Sequence, residues 1–321
     1  MKAVTANQYG SPEIINTVEV PKPIINKNEI LIEVKSSAIT TADTMIRAGK
    51  PKFGRLFLGI SKPKKSVLGT GFAGVISEIG SEVSNWKVGD KVFGETSTDF
   101  GANAQFLKID KDATMLEMIN DDYATHSVMC DGTLTSYNFL HNIIKLKNTD
   151  KILINGGSGS LGVAAIQLAK IVGCEVTAVC SDKNIEFVKK LGADKVINYK
   201  EVDFTKLNHK FNYIFDTVGK SSFSRCKDIL ENDGKYLTPV LNLNMIPQLL
   251  LNIFRKKKLV FSATGLLKPK ELKSFLNEIL HLIKTNKLTI PLTNQYNYSN
   301  IIDAHKYIET GRKVANIYLV N

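Results

Sequence analysis

Cysteine is scarce in this chain of 321 residues: four occur, and none belongs to a C-x-x-C pair. Their spacing matches neither a zinc site nor a disulfide framework, so we expect reduced and mostly buried thiols. The four are Cys130, Cys174, Cys180 and Cys226.

Long apolar runs are also absent. No stretch approaches the ~18 uncharged apolar residues of a membrane-spanning helix. The first residues, MKAVTANQYG, lack the apolar segment and cleavage site of a secretory signal, so we expect a cytoplasmic protein with no membrane partner. The apolar residues 245–254, followed by a basic run at 255–258, leave two interpretations open. They form either a membrane-surface helix or a helix that lines a cleft or contacts a second copy of the chain.

A concentrated basic surface is missing as well, although the formal net charge is +11. The lysines are spread along the chain, and the dense clusters at 62–65 and 255–258 are not interleaved with aromatic residues. No nucleic-acid-binding module is visible, so we expect no nucleic-acid partner. The charge instead predicts a basic surface that attracts an anionic cofactor.

Two patterns of secondary structure divide the sequence. Residues 1–123 contain short strand-like runs separated by turn signals, which is typical of a β-rich domain. From about Tyr123, predicted strands and helices alternate, and this alternation favours an α/β fold with a parallel, doubly wound sheet. Helices are predicted at Thr41–Ala48, ended by Gly49, near residues 133–146, and at Pro269–Lys284.

The stretch from Lys151 to Ser181 carries the most specific signal. Residues 152–154 predict a buried strand, apolar positions 161, 165, 168 and 172 have helical spacing, and residues 176–180 predict a second strand. Between the first strand and the helix lies GGSGSLG, with four glycines in seven residues. Strand, glycine turn, helix and strand within about thirty residues form a βαβ unit with the dinucleotide-binding fingerprint.

The glycines of the fingerprint each have a physical reason. Gly157 lets the chain turn sharply, Gly159 leaves room for a pyrophosphate, and Gly162 lets the helix pack closely on the sheet. Free amide groups at the helix N-terminus would face the anion. A P-loop would need Lys and then Ser or Thr where the chain has Val163 and Ala164, and a nucleophile elbow would need G-x-S-x-G. A tight turn without a ligand is the competing interpretation.

Further motifs occur in order along the chain. They are MKAV and YGSPE near the start, IRAG at 46–49, VGDKVFG at 88–94, GGSGSLG at 156–162, LGAD at 191–194 and TGRK at 310–313. Together they resemble those of zinc-independent medium-chain dehydrogenase/reductases of the quinone oxidoreductase-like group. The resemblance implies a GroES-like catalytic domain of residues 1–123 and 266–321, a Rossmann domain of residues 124–265, and a cleft where nicotinamide meets substrate. We also expect a homodimer.

Zinc-dependent members of the superfamily hold a catalytic metal with Cys, His and Cys or Asp. The corresponding positions here are Thr40, Thr70 and, near the third, Asp131 beside Cys130. A threonine hydroxyl is a poor zinc ligand beside a thiolate, an imidazole or a carboxylate. The four-cysteine structural zinc lobe is missing, and the five histidines show no ligand spacing. The resemblance therefore implies no zinc.

Without a metal to polarise an alcohol, the resemblance favours hydride transfer to an acceptor that is already electrophilic, a quinone or an α,β-unsaturated carbonyl (enone). It places Thr135 beside the nicotinamide and Thr40 in the substrate pocket, where its hydroxyl would donate to a carbonyl oxygen. Asp43 is a candidate acid–base residue. Structural alternatives stay open, namely the end of a strand for Thr40 and, for Asp43, the first turn of a helix or a link to Arg47.

The residues after the second strand indicate the cofactor. NAD-binding proteins place a carboxylate there on the ribose hydroxyls, whereas a 2′-phosphate requires small polar and cationic groups. Ser181 and Lys183 match the NADPH pattern, but Asp182 would repel a phosphate if it pointed inward. We therefore expect NADPH rather than NADH. The predicted cofactor-binding residues are Thr135, Gly156, Gly157, Ser158, Gly159, Ser160, Leu161, Gly162, Ser181, Lys183, Tyr199 and Val218.

Two other functions stay open from the sequence. One is a zinc-dependent alcohol dehydrogenase. The other is an NADPH-binding protein with a sensing or structural role and little catalysis, because the chain has Thr40, Met45 and Gly71 where relatives often carry Asn, Tyr and an acidic residue.

Overall fold

The computed structural model describes the backbone of residues 1–321 and every side chain except that of Leu243. The contacts group into two compact units. The first unit consists of Met1–Asp131, Gly265–Leu280 and Pro291–Asn321. The second unit consists of Gly132–Thr264 and His281–Ile290.

The strands run through both units. In chain order they are β1 (Lys2–Thr5), β2 (Asn16–Glu19), β3 (Glu29–Ile39), β4 (Gly71–Ile79), β5 (Lys91–Glu95), β6 (Phe106–Asp110), β7 (Thr114–Glu117), β8 (Lys151–Asn155), β9 (Glu175–Cys180), β10 (Lys195–Asn198), β11 (Phe211–Asp216), β12 (Leu230–Thr238), β13 (Lys258–Phe261), β14 (Leu292–Tyr296) and β15 (Asn316–Val320).

The helices are mostly short. In chain order they are α1 (Thr41–Ala48), α2 (Arg55–Leu58), α3 (Tyr123–Val128), α4 (Leu134–Tyr137), α5 (Ser160–Val172), α6 (Ile185–Lys190), α7 (Phe223–Cys226), α8 (Ile246–Leu250), α9 (Pro269–Lys284) and α10 (Ile301–Glu309). In the part of the chain that the structure describes, no helix is both long and apolar enough to cross a membrane.

A seven-stranded sheet organises the first unit. Its order is β14-β15-β3-β4-β5-β7, and β6 also pairs with β3. Ile32, Phe72 and Val92 are buried in one core beside this sheet. Strand β3 continues through Ser36 and Ser37 to Ile39, because their buried hydroxyls bond the Ser127 hydroxyl (3.0 Å) and the Asn103 amide oxygen (2.8 Å), respectively. Partners for buried polar groups let the strand continue through a polar sequence.

A six-stranded parallel sheet organises the second unit. Its order is β10-β9-β8-β11-β12-β13, the order of a doubly wound dinucleotide-binding fold. Leu153, Ile214 and Leu259, from three of its strands, share one buried core. The predicted parallel, doubly wound α/β sheet is confirmed.

The predicted start of one helix is wrong. The helix expected near 133–146 belongs to a helical segment that begins at Tyr123, where the Asp122 carboxylate accepts a hydrogen bond from the Thr125 amide (3.0 Å) and caps it. Two π-helical turns, Met129–Thr133 and Asn138–Ile143, interrupt this segment. Strand β12 begins at Leu230, which lies opposite Phe211 of β11, and a register shift accommodates residues 231–234 before Lys235 pairs with Tyr213.

Candidate functional site

The glycine turn lies between β8 and α5 in the second unit. The amides of Gly156 and Gly157 both donate to the Val179 carbonyl of β9, at 3.1 and 2.9 Å. A Cβ at Gly162 would lie 2.1 Å from the Gly156 oxygen, so only glycine fits there. A Cβ at Gly159 would meet only that oxygen, at 3.6 Å. The backbone at Gly159 is therefore accessible at the N-terminus of α5, and the residues present fit a pyrophosphate.

A second loop, residues 216–219, lies beside the glycine turn. A Cβ on Gly156 would come 2.4 Å from Val218 Cγ2 and 2.6 Å from Thr217 Oγ1, and Gly156 has a φ of +86°. The Thr217 hydroxyl donates to the Asn155 carbonyl at 2.7 Å. Val218, predicted to bind the cofactor, is therefore brought next to the fingerprint at the ends of β8 and β11, where the strand order of the sheet reverses.

The buried carboxylate of Asp216 holds this second loop in place, and the sequence did not single it out. Its donors are Asn155 Nδ2 (2.9 Å), the amides of Val218 (3.1 Å), Gly219 (3.0 Å) and Ser221 (3.1 Å), and the Tyr236 hydroxyl (2.6 Å). Burial raises the pKa of Tyr236, so the hydroxyl stays a donor. An acidic residue at the end of a buried parallel strand was the available signal.

Thr135 lies on α4, which packs on the first turn of α5. The Ser136 hydroxyl donates to the Leu161 carbonyl at 2.8 Å, and a Cβ on Gly132 would lie 2.5 Å from the Ser160 oxygen. Thr135 is thus held at the same end of α5 as the glycine turn. The π-helical turns on both sides of α4 are a feature frequently found at functional sites.

The residues predicted for the adenosine end of the cofactor also converge in the second unit. Asn198 pairs with Cys180 in the parallel register of β10 and β9, and the Tyr199 amide donates to the Cys180 carbonyl at 3.1 Å. Tyr199 therefore lies beside Ser181. The Asn184 amide group, a further polar residue here, donates to the Ser158 hydroxyl (3.1 Å) and to the Ser181 hydroxyl (3.3 Å), and so links the glycine turn to this end.

Thr40 and Asp43 lie in the first unit and form the capping box of α1. The Thr40 amide and hydroxyl donate to Asp43 Oδ2 at 2.7 and 2.8 Å, and the Asp43 amide donates to the Thr40 hydroxyl at 3.1 Å. The structure thus places Asp43 in the first helical turn. The alternative, an ion pair between Asp43 and Arg47, does not form, because the Arg47 guanidinium donates to the Gly10 carbonyl and pairs with Glu309.

The charges of Asp43 and Asp131 act on two further ionisable groups of the first unit, Glu95 and Lys313, and the charge of Asp131 also acts on Asp43. Burial, with the charges of Asp131 and Asp43, raises the pKa of Glu95 to about 8, and burial raises the pKa of Asp43 to about 6. Burial lowers the pKa of Lys313 against the opposing pull of Asp131 and Asp43. No sequence motif pointed to Glu95.

The residues at the zinc positions of the superfamily do not fit that metal. The Thr40 hydroxyl donates to Asp43, and Thr70 offers only another hydroxyl where zinc members have an imidazole. Among the described side chains, no group of three or more His, Cys, Asp or Glu residues is arranged to hold a metal ion.

Comparisons with known proteins agree with this architecture. Residues 26–146 match the model of the alcohol dehydrogenase GroES-like domain, and residues 191–317 match that of zinc-binding dehydrogenases. A chloroplast envelope quinone oxidoreductase homolog of Arabidopsis thaliana is 31% identical over 95% of this chain and 93% of its own length. A 2-methylene-furan-3-one reductase of Solanum lycopersicum is 28% identical over 99% of this chain and 79% of its own.

A solved structure is similar over its full length. The quinone oxidoreductase from Coxiella burnetii superimposes with a TM-score of 0.86 at 26% identity, and the match covers 100% of this chain and 99% of that one.

Proposed function

Because the chain belongs to the quinone oxidoreductase-like group of the medium-chain dehydrogenase/reductases, we propose that it is a reductase that transfers hydride from NADPH to a quinone or an enone without a metal ion. The observation that carries the proposal is the glycine turn at the N-terminus of α5, where the space around Gly159 is open. Val218 and Thr135 are held beside this turn. We keep the division into a catalytic domain of residues 1–123 and 266–321 and a cofactor domain of residues 124–265.

When bound, the reduced nicotinamide supplies the hydride. The residues of the chain bind and orient the cofactor and the acceptor. The α5 amides and the glycine turn would hold the pyrophosphate, and Thr135 would contact the nicotinamide. The Thr40 hydroxyl donates to the carbonyl oxygen of the acceptor, where negative charge develops as hydride arrives. In the structure that hydroxyl donates to Asp43. When the hydroxyl donates to a substrate instead, its oxygen still accepts from the Asp43 amide, and Asp43 keeps its bond from the Thr40 amide, so α1 stays capped.

The choice of NADPH over NADH rests on the charges at the ends of β9 and β10. Ser181 offers a small polar group, and Lys183 is an exposed cation next to it. Asp182, the feature that argues for NADH, is bonded to Lys200 Nζ at 2.8 Å, and that bond lowers its pKa. A carboxylate paired in this way repels a phosphate less than a lone one.

Steady-state oxidation of NADPH tests the reaction. Purified protein is mixed with a panel of quinones and enones, and turnover with at least one of them is expected, with a lower kcat/KM for NADH. Oxidation of primary alcohols with NADP⁺ and stoichiometric zinc in the purified protein would favour a zinc alcohol dehydrogenase instead. Tight NADPH binding without turnover of any acceptor would favour a non-catalytic binding role.

We also propose a cytoplasmic homodimer formed through the second unit. Strand β13 is the last strand of the parallel sheet, and the preceding segment exposes Leu250, Ile253 and Phe254 by 69, 81 and 85%. Apolar side chains exposed next to a sheet edge are typical of an interface. Sedimentation analysis of the protein and of Phe254→Asp tests this: the chain should sediment as a dimer and the variant as a monomer.

A further inference from the structure

Asp182 and Lys200 form an ion pair at the carboxyl ends of β9 and β10. The two strands are parallel and Asn198 lies opposite Cys180, so that the residues two places beyond each strand end come side by side. Lys200 Nζ lies 2.8 Å from Asp182 Oδ1, and both side chains are about half exposed. The pair is thus a consequence of strand register.

The position of Asp182 in the βαβ unit connects this ion pair with recognition of the cofactor ribose. A carboxylate just after the second strand of a dinucleotide-binding unit is the group that binds the ribose hydroxyls of NAD, and it repels the 2′-phosphate of NADP. The strand-end position itself falls at Cys180 or Ser181, and Asp182 is the first carboxylate after it. In the structure its carboxylate is paired to a cation contributed by the neighbouring strand's loop.

The other charged groups near this end are engaged elsewhere. Glu186 pairs with Lys189 at 2.9 Å, and the Glu201 carboxylate accepts a hydrogen bond from Asn198 Nδ2 at 2.7 Å. Asp182 and the cations Lys183 and Lys200 therefore dominate the local charge.

Resting on the proposed NADPH-dependent function, we propose that the Asp182–Lys200 pair determines cofactor preference. Lys200 cancels the charge of Asp182 and holds its carboxylate away from the ribose, so that Ser181 and Lys183 can accept a 2′-phosphate. Loss of Lys200 frees Asp182 to bind the ribose hydroxyls, which turns the site toward NADH. Lys200 is in this sense a specificity-determining residue, and its effect acts through Asp182.

A double-mutant cycle tests the pair. Binding of NADPH and of NADH is titrated by fluorescence in the wild-type protein, Lys200→Gln, Asp182→Asn and the double variant. We expect Lys200→Gln to weaken NADPH about tenfold, because a phosphate of nearly two negative charges then faces an unpaired carboxylate. NADH binding should stay equal or become tighter. The double variant should recover most of the NADPH affinity, because the repelling charge is gone.

A matched control exists on the same two strands. Lys195 pairs with Glu175 at 2.7 Å at the opposite ends of β10 and β9, with similar exposure. Lys195→Gln should change neither affinity. The inference is overturned if Lys200→Gln weakens NADPH and NADH alike, or if it weakens NADPH equally with and without Asp182. If the wild-type protein itself prefers NADH, the proposed cofactor fails, and that result is distinct from failure of the cycle.

Discussion

Three titratable side chains of the first unit, two of them fully buried and Glu95 largely buried, have altered ionisation. Burial raises the pKa of Glu95 to about 8 and that of Asp43 to about 6, so Glu95 favours the neutral acid at neutral pH, whereas Asp43 does so only below about pH 6. Burial, with the charge of Arg47, lowers the pKa of His305 to about 3, so the imidazole is neutral as well. A low-dielectric environment disfavours the charged form of either kind of group. The two kinds of group affect stability at opposite ends of the pH range.

Glu95→Gln should stabilise the protein at alkaline pH. The folded-state pKa lies above the ordinary 4.5, so stability is lost as pH rises from about 4.5 through about 8. Glutamine keeps the shape of the neutral acid and removes that loss. We expect a gain of about 1–2 kcal/mol in the free energy of unfolding near pH 9 and none near pH 4, measured by urea denaturation. The exposed Glu117→Gln should show no such pH dependence. An equal effect at both pH values would contradict the assignment.

His305→Phe should make the protein more resistant to acid. The ring of His305 is fully buried, and neither nitrogen has a hydrogen-bond partner among the described residues. Its pKa is depressed in the folded state, so the unfolded chain takes up a proton first and stability falls as pH drops from 6.5 toward 3. An acid titration followed by circular dichroism should show a lower unfolding midpoint for the variant. The exposed His209→Asn serves as the control, and identical midpoints for wild type and His305→Phe would refute the idea.

At the scale of elements, helix α1 and the glycine turn carry most of the proposed site residues. Helix α1 is capped at its start by Thr40 and Asp43 and at its end by Gly49. The φ of Gly49 is +61°, in the left-handed region that favours glycine. The turn before α5 packs Gly162 directly against the Gly156 carbonyl, where no side chain would fit. Each element therefore depends on a few residues at its ends.

Thr40→Ala should cost about 1 kcal/mol in stability, because the amide of Asp43 loses its cap. Thr40→Ser keeps the hydroxyl and should retain both stability and kcat. If Thr40 also donates to the acceptor, Thr40→Ala will in addition lower kcat with the best quinone or enone. Thermal unfolding and steady-state kinetics separate the two effects. A Thr40→Ala protein with unchanged kcat would leave Thr40 a structural role only.

Gly159→Ala and Gly162→Ala should have different effects. At Gly159 an added Cβ meets no atom closer than 3.6 Å, so the protein should fold normally but bind NADPH at least tenfold more weakly, because the methyl group occupies space at the pyrophosphate. At Gly162 the Cβ would lie 2.1 Å from a backbone oxygen, so unfolding should become easier by about 1–3 kcal/mol. Calorimetry and cofactor titration check both. Wild-type affinity in Gly159→Ala would contradict the assigned turn.

For the whole molecule, cofactor binding should appear as a change in stability. A ligand that binds only the folded state stabilises it by about 2.7 kcal/mol at one hundred times its dissociation constant. NADPH should therefore raise the melting temperature more than NADH at equal concentration, and high salt should reduce the difference because the 2′-phosphate is held by exposed charges. Differential scanning calorimetry provides the measurement. Equal shifts for the two cofactors would argue against a 2′-phosphate site.

The sequence alone predicted the features whose cause is local. The βαβ unit, the glycine turn and helix α1 with its Gly49 end were correctly predicted, because turn geometry, capping and helical periodicity depend on neighbouring residues. The family resemblance followed from the order of such local motifs. The parallel sheet was predictable too, since alternating strands and helices have few other ways to pack.

Tertiary structure decided the features that depend on distant residues. The neutral state of Glu95 arises from burial near the charges of Asp43 and Asp131, and the donors to Asp216 come from β8, β12 and the loop after β11. Asp182 on its own argues against NADPH, but the register of β9 and β10 pairs its carboxylate with Lys200. Charge and burial act through space, so their effect on a residue is set only when the chain has folded.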